Sequence, residues 1–398
     1  MHRRQFLGAA AAAALLGRVA RAESFPSDLK ITRIVSFDLH TRRSKYVGKN
    51  AGRGDHGQNS RDRMARLYTN MGVEAVGRCW KDKESLAPLL GKNPFKDFDL
   101  ASRKMPGPLG SRTMVLWDLA GKVLEKPVYR LLGGAKSGNV PVYDGSIYFA
   151  DLLPQYHAQW KDRFKEEIDM GLRAGHRAFK IKIGRGNKWM DRDAGDARDI
   201  EVIETIRKHA GDEVHLGVDA NNGYDLPGAK RFLDRAKGLG VEFLEEPFRE
   251  QVEPCLQLKQ FIAERGYKTL LADGEGQDDV EAYRPFVEAK ALDMLQGDMY
   301  GLGIEGILAE AAMAQPQGIL VAPHNWSSLL SLFMQVHIGL VVPNFYRAEH
   351  DPLTSDVLIY DGYRIADGVC SVPDAPGFGL ALDERRFARV TVNFDLRA

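Results

Sequence analysis

Val214-His215-Leu216-Gly217-Val218, Phe243-Leu244 and Leu270-Leu271-Ala272 are three short apolar runs that each end in acidic residues. The ends read Asp219-Ala220-Asn221, Glu245-Glu246-Pro247 and Asp273-Gly274-Glu275. From Asp219 to Glu245 is 26 residues, and from Glu245 to Glu275 is 30. Each interval has room for one helix and one strand, so we interpret this stretch as successive units of a parallel barrel. The carboxylates at its strand ends would then share one mouth.

These carboxylates predict a metal site. Three of them at one mouth repel one another unless a cation lies between them. Ligation by oxygen alone favours a hard divalent ion, and we predict Mg²⁺. Asp219 and Glu245 are two of the predicted ligands. Asp273 and Glu275 share parity on one strand, so alternation leaves both open as the third ligand.

The alternation of strands and helices continues on both sides of this stretch. Its spacing predicts a closed (β/α) barrel, and no G-x-G-x-x-G follows the first strand, which argues against a dinucleotide-binding sheet. The predicted strands are Val140–Tyr143, Ala178–Ile183, Val214–Asp219, Val241–Glu245, Thr269–Asp273, Met294–Asp298, Ile319–Pro323 and Ile338–Val342.

The chain is long enough for a second domain beside the barrel. We assign residues 1–22 to a signal peptide and residues 139–354 to the barrel. Residues 23–138 and 355–398 are predicted to form together an α+β capping domain.

Three local patterns describe the first part of that capping domain. Ile31 to Leu39 alternates like a strand. The stretch from Thr41 to Ser60 is rich in Gly, Arg, Lys and Asn, and predicts a long exposed loop of the kind that binds ligands. Apolar residues at helical spacing from Arg112 to Leu132 predict one helix that ends at Gly133.

Residues 1–22 have the form of an export signal. Arg3 and Arg4 precede an Ala/Leu-rich run, and Ala20-Arg21-Ala22 has the small-x-small form of a cleavage site. The run is shorter than the roughly 20 residues of a membrane span. The arginine pair resembles a twin-arginine signal. We expect a mature chain that begins near Glu23, works in the periplasm and has no membrane attachment.

The composition argues against nucleic-acid binding. Removal of the signal takes away four arginines and no acid, which leaves 51 basic and 54 acidic residues, a net charge of −3. The three cysteines, Cys79, Cys255 and Cys370, form neither a disulfide framework nor a zinc-binding spacing.

Alternation places two lysines inside the predicted barrel. In Ala178-Phe179-Lys180-Ile181-Lys182-Ile183 the apolar residues share one face, so Lys180 and Lys182 point inward. A strand of a parallel barrel has no solvated face, and the acids of the next strands are the partners that these lysines need. Burial and a nearby metal can lower the pKa of such a lysine, which suits a general base.

Two later strand ends carry a histidine and a further acid. A carboxylate bonded to an imidazole fixes its tautomer and raises its basicity, so Asp298 and His324 form a candidate catalytic dyad. Glu349, after the last predicted strand, could donate a proton if it is held protonated, and His350 is an alternative donor. The candidate substrate-binding residues are Arg53, His56, Asn221, Asn325 and Trp326.

These residues, in this order, resemble the enolase superfamily, specifically its mandelate racemase branch. The resemblance spans roughly Lys30 to the C-terminus and implies a modified (β/α)₇β barrel capped by an α+β domain. The matching motifs are Lys180-Ile181-Lys182, Asp219-Ala220-Asn221, Glu245-Glu246-Pro247, Gly274-Glu275, Gln296-Gly297-Asp298, Pro323-His324 and, outside the barrel, Asp118-Leu119-Ala120-Gly121-Lys122, Leu132-Gly133-Gly134 and Pro376-Gly377-Phe378-Gly379.

The resemblance also implies chemistry. Members of the superfamily remove a proton α to a carboxylate and hold the resulting enediolate on Mg²⁺. By resemblance the ligands are Asp219, Glu245 and Glu275, the last because the Gly-Glu form is usual in this branch. A homo-oligomer, from dimer to octamer, is also implied.

The resemblance assigns the remaining roles as well. Lys182 is the base on one face of the substrate, and His324 with Asp298 is the base or acid on the other. Lys180 neutralises the substrate carboxylate and lowers the pKa of Lys182. Gly297 stands where the branch usually has proline, a change that leaves the role of Asp298 intact.

Three functions are compatible with this site. Our first hypothesis is dehydration of an acid sugar to a 2-keto-3-deoxy acid, with His324 protonating the departing β-hydroxyl. The second is racemisation, epimerisation or cycloisomerisation of a hydroxy or amino acid-type carboxylate, since bases on both faces permit it. The third is a non-catalytic exported binder of acid sugars. That binder would be expected to lack an intact lysine pair or His–Asp pair, and both are present.

Overall fold

The computed structural model describes residues 24–398. The predicted signal peptide lies outside the described residues. Within them, two sheets dominate: an antiparallel cap sheet and a parallel barrel. No helix of residues 24–398 is both long enough and apolar enough to cross a membrane.

The strands alternate with helices in the middle of the chain and follow one another at its two ends. The strands are β1 Ile31–Val47, β2 Gly57–Thr69, β3 Glu74–Arg78, β4 Asn139–Ile147, β5 Ala178–Lys182, β6 His215–Asp219, β7 Val241–Glu245, β8 Leu270–Asp273, β9 Met294–Leu295, β10 Leu320–Val321, β11 Ala348–His350, β12 Leu353–Thr354, β13 Leu358–Ile359, β14 Arg364–Ala366, β15 Val369–Ser371, β16 Ala381–Leu382 and β17 Val392–Arg397. The α-helices are α1 Lys83–Leu86, α2 Met114–Val123, α3 Val128–Leu131, α4 Trp160–Arg173, α5 Arg192–Ala210, α6 Leu226–Arg235, α7 Val252–Glu264, α8 Arg284–Glu288, α9 Gly303–Ala314, α10 Leu329–Gly339 and α11 Glu384–Phe387.

Strands β4 to β11 form the barrel. Neighbours from β4 to β10 pair in parallel in chain order, and β11 returns to pair in parallel with β4. The ring closes where Val321 bridges Phe345. Seven helices, α4 to α10, connect these strands, which confirms the predicted modified (β/α)₇β barrel. The carboxyl ends of all eight strands therefore meet at one mouth.

The eighth predicted strand was wrong. Residues 338–342 lie at and just beyond the end of α10, and the last barrel strand is β11. Every residue of α10 from Leu329 to Ile338 is buried, because this helix packs against both the barrel and the cap. A helix that is apolar on all sides lacks helical periodicity and resembles a buried strand in sequence.

The predicted long loop of residues 41–60 is mostly strand. β1 and β2 form a hairpin whose pairs continue to Arg42–Asn59 and Val47–Gly57, so the connection is only residues 48–56. The inward side chains here are polar because they meet charged groups of the barrel. Arg43 is 1% exposed and ion-paired to Asp351, and Lys45 pairs with Glu167. Apolar alternation was therefore absent.

The helix predicted from Arg112 to Leu132 is two helices, α2 and α3. Glu125 between them has a φ of 54°, which is left-handed, and Pro127 cannot continue the hydrogen bonding of α2. The predicted end at Gly133 is confirmed, with a φ of 97° that favours glycine.

The chain ends meet in the capping domain. The cap sheet runs β12-β1-β2-β3, and β17 also pairs with β1, so residues from both termini share one sheet. Buried Asp118 of α2 joins the two parts, because its carboxylate accepts from the backbone of Val76 and of Phe378, each at 2.9 Å. Part of the C-terminal tail belongs to the barrel sheet instead of the capping domain. Strand β14 pairs with β15, and β15 pairs with β4 of the barrel.

Candidate active site

A cavity of about 570 Å³ lies between the barrel mouth and the connection of residues 48–56, which we call the cap loop. Its lining comes from the carboxyl ends of the barrel strands and from the cap loop itself. Side chains from the ends of several strands therefore converge on one space, as in other barrel enzymes.

Three predicted ligands form a carboxylate group at the barrel end of this cavity, which we call its floor; of the three, Glu275 lines the cavity directly. Asp219, Glu245 and Glu275 each offer a carboxylate oxygen, and these oxygens all lie within 4.8 Å of one another. Asp219 and Glu245 are the last residues of β6 and β7, and both are buried. An all-oxygen, acidic set of this size fits a hard divalent cation such as Mg²⁺.

The structure separates Glu275 from Asp273. Gly274 has a φ of 137°, and this turn breaks the alternation that left both residues open. Asp273 accepts from the backbone N–H of Gly274 at 2.7 Å and stays outside the group. Burial and the neighbouring Glu246 hold the pKa of Asp273 well above its usual range, as expected for a carboxyl without a cation partner.

Lys180 and Lys182 point into the barrel, as alternation predicted. Lys180 Nζ lies 2.7 Å from Glu245 Oε1 and 2.8 Å from Glu349 Oε1, with no side-chain exposure. Lys182 donates to Asp219 and lines the cavity. Lys180 thus lies beneath the floor, and Lys182 is the lysine that a ligand can reach.

The pKa of Lys182 is governed by burial and by its charged neighbours. Burial lowers it and Lys180 lowers it further, but the carboxylate of Asp219 outweighs both, so the pKa of Lys182 lies above its ordinary value. Asp219 is both the partner of Lys182 and a member of the carboxylate group. The protonation state of Lys182 therefore depends on whether Asp219 also binds a cation.

His324 and Asp298 form the predicted dyad. Asp298 Oδ2 lies 2.7 Å from His324 Nδ1, and the backbone N–H groups of Tyr300 and Gly301 donate to Asp298 Oδ1. The other ring nitrogen, Nε2, lies 2.9 Å from Glu275 Oε2. Burial opposes a charged imidazole, but Glu275 and Asp298 outweigh it and raise the pKa of His324 well above its ordinary value.

Gly297 positions the dyad through a contact that sequence reasoning did not anticipate. Its N–H donates to Glu310 Oε1 at 3.0 Å, and a Cβ at this position would lie 2.5 Å from Glu310 Oε2. Burial raises the pKa of Glu310 to about 8, so this carboxyl is mostly protonated and uncharged at neutral pH. A proline here could not make the bond, because it has no N–H.

Glu349 and Asn325 lie outside the cavity lining. Glu349 is within β11 rather than after the last strand, is buried, and does not line the cavity. Asn325 is also buried: its backbone N–H donates to Glu349 Oε2 at 2.9 Å and its Nδ2 to Glu349 O at 3.1 Å. Asn325 does not line the cavity and its Nδ2 holds Glu349, so its role in substrate binding stays a prediction.

The alternative proton donor, His350, faces away from the cavity. Its Nδ1 lies 2.9 Å from Nε2 of His176, and the two rings stack with centroids 5.1 Å apart. Burial lowers the pKa of His350 to about 3. His350 therefore contacts His176 and, like Glu349, lies outside the cavity lining.

The other predicted substrate-binding residues line the cavity. They are Arg53, His56, Asn221 and Trp326. Trp326 Nε1 donates to His56 Nδ1 at 2.9 Å, and the Trp326 ring stacks on Tyr148 at a centroid distance of 4.5 Å. Burial, and then the charges of Lys182 and Arg43, lower the pKa of His56 to about 4, so it is a neutral side chain.

Sequence reasoning missed several cavity residues. Tyr148 follows β4 and Tyr300 follows β9, and the rule that catalytic barrels use strand ends could have found both. Glu246 also lines the cavity, with a left-handed φ of 42° and hydrogen bonds from Asn221 and Asn222. Asn50 of the cap loop had no sequence signal, because its side chain caps the loop's own backbone.

Comparisons with known proteins agree with this architecture. The profile of the family "enolase C-terminal domain-like" matches residues 163–386. A crystal structure of a mandelate racemase/muconate lactonizing protein from Geobacillus sp. Y412MC10, complexed with magnesium and tartrate, is 29% identical with a TM-score of 0.86. The match covers 94% of this chain and 98% of that one.

Two enzymes of known activity are similarly related. A galacturonate dehydratase from Geobacillus sp., solved with D-galacturonate and 5-keto-4-deoxy-D-galacturonate, is 30% identical with a TM-score of 0.83, over 91% of this chain and 97% of that one. The arabinonate dehydratase of Saccharolobus solfataricus is 29% identical over 68% of this chain and 69% of its own. Curated relatives include both dehydratases and cycloisomerases.

The fold and the site together define a Mg²⁺-dependent barrel enzyme of the lyase and isomerase type. The chain belongs to the enolase superfamily, in its mandelate racemase branch.

Proposed function

We propose that the protein dehydrates an acid sugar: it removes the proton α to the carboxylate, expels the β-hydroxyl as water and yields a 2-keto-3-deoxy acid. One observation carries this proposal. Lys182 and the His324–Asp298 dyad both reach the cavity whose floor is the carboxylate group Asp219, Glu245 and Glu275. Two proton-transfer groups beside one cation site are what α-proton abstraction from a carboxylate needs.

The floor of the cavity would bind the substrate carboxylate. Asp219, Glu245 and Glu275 would hold Mg²⁺, which supplies positive charge that offsets the charge developing on the substrate carboxylate. Gln296 Nε2 donates to Glu245 Oε2 at 2.6 Å and orients that ligand. Lys180, held by Glu245 and Glu349, adds a fixed positive charge below the same position.

Proton transfer would fall to the two remaining groups. Lys182 Nζ takes the α-proton from one face of the substrate. His324 Nε2 then gives a proton to the departing β-hydroxyl, and Asp298 on Nδ1 keeps the ring oriented and stabilises its charged form. The atoms balance: one α-hydrogen and one hydroxyl leave as water, and the enol product tautomerises to the ketone.

The two-sided site also permits racemisation, epimerisation or cycloisomerisation, and cycloisomerases are among the relatives. A non-catalytic binder is disfavoured, because the lysine pair and the dyad both keep close charged partners. Product analysis separates these reactions: a dehydratase releases a 2-keto acid, whereas an isomerase conserves mass.

The experiment is a screen of acid sugars with the purified protein and Mg²⁺, in which semicarbazide detects 2-keto acids. We expect turnover of at least one acid sugar, loss with EDTA and recovery with Mg²⁺. Glu275→Gln should weaken Mg²⁺ binding about 10-fold or more, because it removes a ligand charge, whereas Asp273→Asn should not. Full activity after removal of divalent metal would overturn the proposal.

We also propose that residues 1–22 direct export and that the mature enzyme works in the periplasm, free of the membrane, as a homo-oligomer. Arg3-Arg4 and Ala20-Arg21-Ala22 support export, and the resemblance to the superfamily supports assembly. Mass spectrometry of periplasmic protein should find a chain that starts near Glu23, and light scattering should find a multiple of its mass. An intact Met1 on that material would refute cleavage.

A further inference from the structure

The cap loop, residues 48–56, is held to the barrel by its backbone. Asn50 Oδ1 accepts from the N–H groups of Gly52 and Arg53, at 3.1 and 2.7 Å. From the barrel side, Trp189 Nε1 donates to Asn50 O at 2.7 Å and Asn187 Nδ2 donates to Ala51 O at 3.1 Å. The position from which Arg53 projects is therefore determined before any ligand binds.

The side chain of Arg53 contrasts with this held backbone. It is exposed and lines the cavity, and within residues 24–398 its guanidinium has no hydrogen-bond or ion-pair partner. Neighbouring cations are occupied: Lys49 Nζ lies 2.7 Å from Asp55 Oδ1, and Arg43 pairs with Asp351. The acid nearest to Arg53 in sequence, Asp55, is thus already engaged.

The charges around the cavity are arranged unequally. His56, beside Arg53, is neutral and accepts from Trp326, so it does not neutralise the guanidinium. The cavity lining also includes the acid Asp278, which follows β8 in the chain. A ligand whose reacting carboxylate lies on the floor would meet attraction for a second anionic group at Arg53 and repulsion at Asp278.

We propose that Arg53 binds a second carboxylate at the far end of the substrate, so that the preferred acid sugars are dicarboxylic acids. This inference rests on the proposed function. An unpaired guanidinium on a held backbone suits a planar carboxylate, which it can bind through two parallel N–H groups. Because Arg53 is exposed until the ligand arrives, it acts on affinity and selectivity, and the proton transfers stay with Lys182 and His324.

The test compares matched acids that differ only at the far carbon: glucarate with gluconate, and galactarate with galactonate. We expect the wild-type protein with Mg²⁺ to prefer the dicarboxylate, in binding by calorimetry and in kcat/KM where turnover occurs. Arg53→Gln should lose about 10- to 100-fold in dicarboxylate affinity and much less for the monocarboxylate. Arg53→Lys, which keeps the charge but not the fork, should fall between.

Arg61→Gln is the matched control, because Arg61 is an exposed arginine of the same hairpin that pairs with Asp38 and does not line the cavity. It should retain the wild-type preference. Equal losses for both acids in Arg53→Gln, or no preference in the wild type, would overturn the inference. A stronger preference for 6-phosphogluconate would assign the position to phosphate instead. Calorimetry decides these points even if no acid sugar turns over, an outcome that would overturn only the proposed function.

Discussion

Lys182 and His324 both line the cavity and end different barrel strands, so at the scale of single residues each should serve one face of the substrate. Removing one should stop turnover and leave the other able to exchange the α-proton on its own face. Loss of a general base costs about 10²–10⁴ in rate, which separates the two effects. Proton exchange in D₂O, followed by NMR in Lys182→Ala and His324→Asn, measures them.

In a dehydratase, one of these variants should exchange the proton without forming product. In a racemase, each variant should exchange only one enantiomer. Wild-type turnover in both variants would contradict the assignment of the two residues and the enolisation mechanism with it.

Gly297 is a second residue whose environment makes a prediction. A Cβ there would lie 2.5 Å from Glu310 Oε2 and 2.6 Å from Leu302 Cδ1. Gly297→Ala should therefore cost about 1–3 kcal/mol of unfolding free energy through overpacking. Gly297→Pro should cost more, since it also removes the N–H that donates to Glu310. Urea unfolding measures both, and Gly54→Ala, with nothing within 4 Å, should be nearly neutral.

At the scale of elements, the cap strand β1 is joined to the barrel by a buried ion pair. Arg43 Nε lies 2.7 Å from Asp351 Oδ1, one residue beyond β11, and the Arg43 guanidinium lies 4.4 Å from the centre of the Trp326 ring. Arg43→Met should cost about 3–5 kcal/mol, because it leaves the Asp351 carboxyl buried without its cationic partner. Arg43 also contacts the ring of Trp326, which lines the cavity, so kcat/KM should fall as well.

The control lies on the same strand. Arg33 of β1 pairs with Asp395 of β17, but both side chains are about one-third exposed. Arg33→Met should cost at most about 1 kcal/mol and leave activity unchanged. Equal costs in the two variants, measured by urea unfolding, would show that the buried pair does not join cap and barrel as described.

At the scale of the whole molecule, His337 makes stability depend on pH. His337 lies on α10, its Nδ1 accepts from Tyr129 N at 3.0 Å, and its Nε2 bonds to the hydroxyl of Tyr363 at 2.8 Å. That hydroxyl donates to Phe378 O at 2.6 Å, so the network ties the barrel to the C-terminal tail. Burial lowers the pKa of His337 to about 3.

The sign follows from proton uptake. Between pH 6.5 and about 3, the unfolded chain binds a proton at this histidine that the folded chain does not. Its contribution is complete above pH 6.5 and is lost as the pH falls, by up to about 1.4 kcal/mol per unit. Urea unfolding at pH 7, 6 and 5 should show this slope, reduced in His337→Gln and retained in His40→Gln, an exposed histidine. An unchanged slope in His337→Gln would contradict it.

The sequence by itself determined the barrel and most of the site. Acidic strand ends at regular spacing, such as Asp219 and Glu245, and inward lysines in a buried strand have direct physical causes: carboxyl ends of parallel strands share a mouth, and side chains alternate across a strand. Both features depend only on local periodicity. The ordered motifs then identified the superfamily.

Only the tertiary structure decided features that depend on partners distant in the chain. Residues Arg43 and Lys45 lie in a strand although they are polar, because their inward side chains pair with Asp351 and Glu167 of the barrel domain. The apolar run of α10 became a helix because the cap covers the side that the barrel does not. Asn325 turned from the cavity to Glu349, 24 residues away, and the φ of Gly274 separated Glu275 from Asp273. Local sequence patterns do not predict which distant residues will pair or how the backbone will turn, because the free energy of the whole packed chain selects both.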